Sequence, residues 1–342
     1  MDKIYVLFII SAAISFILTP FVRKFAVKIG ALDIPKSKRK IHKKPMPLLG
    51  GLAIFISFII TMIIKKGPIS FEESGILIGA TIIVCGGFID DLYDLKPWQK
   101  VSFQVSAAIC LMLFNVKIEI LTNPLSTGNS FFGIGLVSIP VTILWIVGVT
   151  NAFNLIDGLD GLAAGVALIS GGSIFVVSML NGRTNAAYMT AILCGSIAGF
   201  LPFNFNPASI FMGDTGSQLL GFLLAAISIK GAVKSAAAFS IAVPLLALGI
   251  PIYDTIFAII RRKLNGKPIS QADRGHLHHR LLDMGLSQKQ AVLIIYAISA
   301  VLGIVAIVAT QINNRNSYFL LACVLCILVL LAWKFGLFKH RE

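Results

Sequence analysis

About eleven apolar runs, each near the length of one bilayer crossing, divide this chain of 342 residues. A helix needs about 20 apolar residues to cross ~30 Å of hydrocarbon. The runs fall near residues 3–22, 48–64, 74–89, 99–115, 134–150, 159–180, 185–201, 214–230, 236–260, 291–311 and 316–334. Backbone groups in lipid must be paired internally, so the expected fold is all-α, a polytopic bundle of about eleven transmembrane helices. With 57% hydrophobic and 13% charged residues, a soluble globular fold is excluded. Pro244 and Pro251 interrupt the ninth run, which predicts a kinked or broken helix there. No internal repeat, low-complexity tract or long linker appears, so residues 1–342 read as a single membrane domain.

Lysine and arginine set the orientation, because they are retained on the cytoplasmic side of short loops. With the N-terminus outside and the C-terminus cytoplasmic, 21 of the 29 basic residues fall inside the cell. Nine of them lie between Arg23 and Lys44, and seven between Arg261 and Lys289. The expected location is therefore a cytoplasmic membrane, crossed several times, with cytoplasmic loops near 23–47, 90–98, 151–158, 202–213 and 261–290. The first run has only Lys3 before it and the basic cluster after it, so it reads as an uncleaved span. The five cysteines all lie in apolar runs, with no disulfide framework. Cys323 and Cys326 have a CxxC spacing but no neighbouring His or Cys to complete a metal site.

Ionisable groups near the membrane are costly and point to function. Eleven of the 15 acids fall on the cytoplasmic side in this topology. The first cluster, Asp90, Asp91 and Asp94, ends the third run, where carboxylates oppose the helix dipole and repel one another. The second is Asn151, Asn154, Asp157 and Asp160, leading into the sixth run. Its three-residue steps place Asn154, Asp157 and Asp160 on a shallow arc if the segment is helical. The third, Asn204 to Ser217, carries Phe211 and Asp214 between glycines that let backbone approach a ligand. The fourth is His276-Leu277-His278-His279-Arg280, in a loop crowded with cations that suits anion or sugar recognition better than zinc. Asp254 closely follows Pro251 in the ninth run, and either a structural pair with Arg261 or Arg262 or a functional role fits it.

Clustered carboxylates beside basic loops suit Mg²⁺, which takes one or two carboxylates and completes its octahedron with phosphate oxygens and water. A phosphorylated substrate follows. No Gly-x-x-x-x-Gly-Lys-Ser/Thr loop is present, which argues against a P-loop nucleotidase.

Five motifs together resemble the polyprenyl-phosphate N-acetylhexosamine-1-phosphate transferase family over nearly the whole chain. They are Pro45-Met46-Pro47-Leu48-Leu49-Gly50-Gly51, Asp90-Asp91-x-x-Asp94, Asn154-x-x-Asp157-Gly158-x-Asp160-Gly161, Phe211-Met212-Gly213-Asp214-Thr215-Gly216 and His276-x-His278-His279-Arg280. The His-x-His-His-Arg form resembles the UDP-N-acetylglucosamine branch. The resemblance implies transfer of a sugar 1-phosphate from a UDP-N-acetylhexosamine to undecaprenyl phosphate, releasing UMP. Products of such enzymes start cell-envelope glycopolymers such as teichoic acid and lipopolysaccharide O-antigen. The implied cofactor is Mg²⁺, with Mn²⁺ as a substitute. By the same resemblance Asp90, Asp91 and Asp157 are catalytic, with Asp90 the family's proposed base. Asp214 and Asp91 hold the metal. Lys43 or Lys44 meets the diphosphate, and Asp94 and Asn154 bind substrate. Asn204 and Phe211 contact uracil with Asp160 close to the base, and His276, His278, His279 and Arg280 read the sugar. Implied partners are the two substrates and membrane lipid, with no nucleic acid; a homodimer is compatible with the family.

Two other readings have specific expectations. UDP-MurNAc-pentapeptide enzymes of the family carry a histidine triplet followed by an acid, a pattern absent here. A secondary transporter places its acids near the midplane in repeated halves, whereas these gather at one face.

Overall fold

The computed structural model describes residues 2–35, 44–65, 67–122, 131–232, 242–266, 268, 275–312 and 314–334. Each apolar run becomes a helix within these bounds. They are α1 (Asp2–Ile29), α2 (Gly50–Ile64), α3 (Phe71–Tyr93), α4 (Pro97–Leu113), α5 (Ser138–Ile156), α6 (Leu162–Leu180), α7 (Thr184–Asn204) and α8 (Gly213–Ala232). The ninth run gives two helices, α9 (Ala242–Ala247) and α10 (Gly249–Leu264), and α12 (Gln288–Gln311) and α13 (Asn314–Lys334) follow. Six described helices are long and apolar enough to cross a membrane: Lys3–Ile29, Phe71–Tyr93, Gly135–Ile156, Leu162–Leu180, Thr184–Asn204 and Gln288–Gln311. The chain is a multi-pass helical membrane protein.

Burial shows how the helices are arranged. On α8, Leu219, Leu220, Phe222, Leu223, Leu224, Ala225, Ala226 and Ile227 are all fully buried, so the helix is apolar all round and sits at the centre. It packs against α2, α3, α5, α6 and α7, while α1 lies outside against α7 and α2. Outward faces keep large apolar side chains, including Ile9, Ile17 and Phe21 on α1 and Phe319 and Trp333 on α13. In lipid such faces need no cover.

Several helices run past the expected hydrocarbon boundary. α3 continues to Tyr93 and α5 to Ile156, so Asp90, Asp91, Asn151 and Asn154 are helical where the apolar pattern alone placed loops. The i→i+4 bonds continue as long as geometry allows, and apolarity marks only the lipid-immersed part. α3 stops at Asp94, which takes a left-handed conformation (φ 54°) with its N–H bonded to the Asp90 carbonyl. The ninth run breaks at Leu248, between its two prolines. A short helix, α11 (Leu277–Asp283), carries three members of the histidine motif and had no signature in the apolar pattern.

Two small antiparallel pairs complete the fold: β1 (Leu32–Asp33) with β2 (Met46–Pro47), and β3 (Ile120–Thr122) with β4 (Phe131–Gly133). β2 leads into α2, whose first amides Gly50 and Gly51 donate to the carbonyls of Phe211 and Met212 at 3.0 Å each. Phe211 N–H returns a bond to Pro47 at 2.8 Å. The proline- and glycine-rich motif is therefore a bracket for the segment entering α8. At the opposite end of the bundle, Lys65 pairs with Glu73, which also closes the capping box of α3 with Ser70, and Lys230 meets Glu72 at 3.2 Å.

Candidate active site

The C-terminal ends of α3, α5 and α7 meet the N-terminal ends of α4, α8 and α12 around a cleft of about 880 Å³. Asp90, Asp91, Asp94, Asn154, Asp157, Asp160, Asn204, Phe211, Asp214 and His279 all line it. These acids thus come from three segments of the chain and converge in one place.

Lys100, in the first turn of α4, is their shared counter-ion. Its Nζ lies 2.6 Å from Asp90 Oδ2 and 2.9 Å from Asp214 Oδ2. Gln218 Nε2 donates to the same Asp214 oxygen at 3.2 Å, and Gln104 Nε2 in turn donates to Gln218 Oε1 at 3.1 Å. Gln104 also exchanges bonds with Asn151, which fixes α4 against α5. Residue typing by motif missed Lys100, Gln104 and Gln218. One signal was available: a lysine in a first helical turn opposes the dipole, so Lys100 needed a local reason.

Asp91 does different work from Asp90. Its Oδ1 accepts the Asp214 N–H at 2.8 Å, and its Oδ2 accepts the Thr215 N–H at 3.1 Å and the Thr215 hydroxyl at 2.6 Å. It is thus a cap for α8 supplied by another helix, satisfying amides that have no intrahelical acceptor. Close approach makes this possible. A Cβ on Gly87 would sit 2.6 Å from the Thr215 Cα, and one on Gly213 would sit 2.4 Å from Asp91 Oδ2. Gly213 also holds φ +69°, a conformation that other residues adopt at a cost.

Asn154, Asp157 and Asp160 do not share one helical arc, because α5 ends between the first two. Asn154 stays on α5 and donates to Ser217 Oγ at 3.0 Å; Asp157 is the residue after the helix, and Asp160 lies in the turn before α6. Burial, with the negative charges of Asp214, Asp91 and Asp160, pushes the Asp157 carboxyl up to about 8. Asp160 Oδ2 accepts from the Asn206 side chain and from Ala208 N–H, both at 3.0 Å, and so shapes the α7–α8 segment. Within that segment, Asn204 Nδ2 donates to the Ile210 carbonyl at 3.1 Å, and its buried Oδ1 has no hydrogen-bond partner among the described residues.

The histidine motif splits. His279 lines the cleft, while His276, His278 and Arg280 are buried behind it. His276 Nδ1 bonds Asp254 Oδ2 at 2.7 Å, and Asp254 Oδ1 accepts the Leu277 N–H at 2.9 Å. Asp254 therefore anchors the start of α11 to α10. His278 packs on the Gly158 backbone, where a Cβ would come within 2.4 Å of its Nε2. Burial and the neighbouring His279 push the His278 imidazole down to about 3, so it is neutral at pH 7. Lys44 is exposed and does not line the cleft; Lys43 lies outside the described residues.

Among the described residues no group of three or more His, Cys, Asp or Glu is arranged to hold a metal ion. A two-carboxylate set does exist, because Asp90 Oδ2 and Asp214 Oδ2 already face one cation.

Comparison with known proteins bears on this arrangement. The family model described as glycosyl transferase family 4 matches residues 74–232, the stretch from α3 to the end of α8. The chain is 42% identical, over all of its length and 94% of the relative's, to the probable undecaprenyl-phosphate N-acetylglucosaminyl 1-phosphate transferase of Bacillus subtilis. It is 34% identical to the decaprenyl-phosphate N-acetylglucosaminephosphotransferase of Mycobacterium tuberculosis, over 84% of this chain and 77% of that one. Identity to the undecaprenyl-phosphate alpha-N-acetylglucosaminyl 1-phosphate transferase of Escherichia coli is 28%, over 92% and 84% respectively.

Proposed function

The chain belongs to glycosyl transferase family 4, and from that premise we propose that it transfers N-acetylglucosamine 1-phosphate from UDP-N-acetylglucosamine to undecaprenyl phosphate, releasing UMP. The product, undecaprenyl-diphospho-N-acetylglucosamine, opens the membrane stage of an envelope glycopolymer. The observation that carries the reading is the convergence of Asp90 and Asp214 on Lys100, in a cleft at the end of a membrane bundle. The lysine and arginine distribution supports a cytoplasmic position for that cleft, with all eleven apolar runs crossing.

In the proposed reaction an oxygen of the lipid phosphate attacks the β-phosphorus of the UDP-sugar in line with departing UMP. A phosphate monoester is mostly dianionic at pH 7, its second pKa being about 6, so a general base adds little. The greater obstacle is charge. Each unit pair of anions held at 4 Å costs ~1 kcal/mol in bulk water and ~4 kcal/mol near a protein surface. Lys100 is the cation placed to offset this, by turning from the carboxylates towards a phosphate oxygen. Asp157 contributes by holding a proton near neutral pH, which lowers the negative charge of the cluster.

A divalent cation fits the donor set. Mg²⁺ needs only one or two carboxylates beside phosphate oxygens and water, and Asp90 and Asp214 supply that pair. Bound there, Mg²⁺ or Mn²⁺ would polarise the diphosphate and neutralise developing charge. Asp91, expected as a second metal ligand, is better assigned to holding Asp214 in place, since both of its oxygens already accept bonds from α8. Asn204 and Phe211 line the cleft together and suit a uracil ring, and His279 is the member of its motif placed to meet the sugar.

The test is release of UMP by purified protein given undecaprenyl phosphate, Mg²⁺ and UDP-N-acetylglucosamine. Turnover with that donor is expected. Absence of UMP with every UDP-sugar offered, including UDP-MurNAc-pentapeptide, refutes the proposal.

A further inference from the structure

Gln288 has no place in the machinery above, yet it lines the cleft from the first residue of α12. Its backbone is set by Ser287, which caps α12 and closes a capping box with Gln290. Its side chain is oriented from the other side. Asp160 Oδ2 already accepts the Ala208 N–H, so the Asn206 atom 3.0 Å from that oxygen is the donor, Nδ2. The same Nδ2 lies 3.0 Å from Gln288, which must present its acceptor Oε1. Amide orientation passes in this way from a carboxylate through Asn206 to Gln288. Among the described residues no acceptor meets the two hydrogens on Gln288 Nε2, which are left for a partner beyond this chain of three.

We infer that Gln288 contacts the substrate and donates through Nε2 to a neutral carbonyl oxygen of the UDP-sugar, with Asn206 as its positioning residue. The inference rests on the transferase reading and adds a specificity-determining contact to it. A neutral acceptor follows from the surroundings, because a phosphate brought beside the Asp160 carboxylate meets like-charge repulsion. Asn204, two residues before Asn206, also lines the cleft, though its Oδ1 is buried and among the described residues meets no donor. A donor facing the cleft calls for a ligand that offers a C=O. UDP-N-acetylglucosamine offers a neutral carbonyl in two places, the uracil ring and the acetamido group.

Gln288→Leu keeps the size and removes the donors. Loss of one neutral hydrogen bond should raise the KM for UDP-N-acetylglucosamine about five- to tenfold. The KM for undecaprenyl phosphate and kcat should stay within about twofold of wild type, a split that general loosening of the fold does not give. Asn206→Leu should reproduce the effect, and the double variant should add little. Inhibition by UMP locates the carbonyl. An inhibition constant raised by the same factor places it on uracil; an unchanged one places it on the acetamido group. Both results support the contact. An unchanged KM for UDP-N-acetylglucosamine in Gln288→Leu, with an unchanged thermal midpoint, overturns it. Failure of the transferase reading has a different signature, no UMP from the wild type. In that event calorimetric titration of UDP-N-acetylglucosamine into wild type and Gln288→Leu decides the contact by itself: equal affinities overturn it.

Discussion

Lys100→Met is the substitution that most directly probes the charge balance of the cleft. It deletes one positive charge that lies 2.6 Å from Asp90 Oδ2 and 2.9 Å from Asp214 Oδ2, while keeping most of the stem. Asp90 is nearly inaccessible at 4% exposed, whereas Lys100 and Asp214 are each 25% exposed, so water screens the second contact more than the first. Gross attraction at such distances is partly offset by the cost of desolvation, and removing one partner of a buried pair costs ~3–5 kcal/mol. Partial exposure here favours the low end. A loss of ~3 kcal/mol in the reaction corresponds to about a hundredfold fall in kcat/KM. A second consequence has the opposite sign. Since Lys100 faces the same two oxygens that would hold Mg²⁺, its removal relieves repulsion of the incoming cation. Turnover measured across a Mg²⁺ titration should therefore show a lower ceiling, reached at a concentration about tenfold or more below that of wild type, given ~4 kcal/mol per unit pair at 4 Å. Lys100→Arg should restore part of the rate. An unchanged half-saturating Mg²⁺ concentration, with kcat/KM within about threefold of wild type, would refute the reasoning.

Asp91→Ala should uncap α8 and cost ~1–2 kcal/mol of stability, seen as a lower thermal midpoint in detergent, together with loss of turnover as Asp214 shifts. A variant as stable as wild type would show that the contacts of Asp91 with Asp214 and Thr215 contribute nothing to holding α8. Gly213→Ala should be more damaging, because it adds a strained φ of +69° to a collision with the Asp91 carboxylate; a normal yield of active enzyme would contradict the packing described. His278 gives a pH test. Unfolded chain binds a proton near the ordinary value of 6.5, but the folded site does so only near 3. Between those values the unfolded state holds more protons, so stability falls as pH drops from about 6.5 towards 3. At pH 5 the contribution is ~2 kcal/mol, and His278→Gln should show a smaller loss of thermal midpoint between pH 7 and pH 5 than wild type. Equal losses in both proteins would remove His278 from the account.

The amino-acid sequence by itself determined the helical character and the membrane environment, because a 20-residue apolar run has few ways to satisfy its backbone outside a helix. It also marked the acids of the cleft, since carboxylates such as Asp90, Asp157 and Asp214 are expensive near lipid and gather at one face. Helix ends were less legible: α3 and α5 continue past their apolar stretches, which carried Asp90 and Asn154 onto helices. Roles within a motif were settled only by tertiary structure. Asp90 and Asp91 are neighbours in sequence, but a rotation of roughly 100° about α3 sends one to Lys100 and the other to the start of α8. The same holds for His276 and His279, one tied to Asp254 and one lining the cleft. Lys100 and Gln288 belong to no acidic or histidine motif, and their partners lie 10 to 114 residues away in the chain. Their part depends on which helix ends meet, and that is decided by close packing at Gly87 and Gly213.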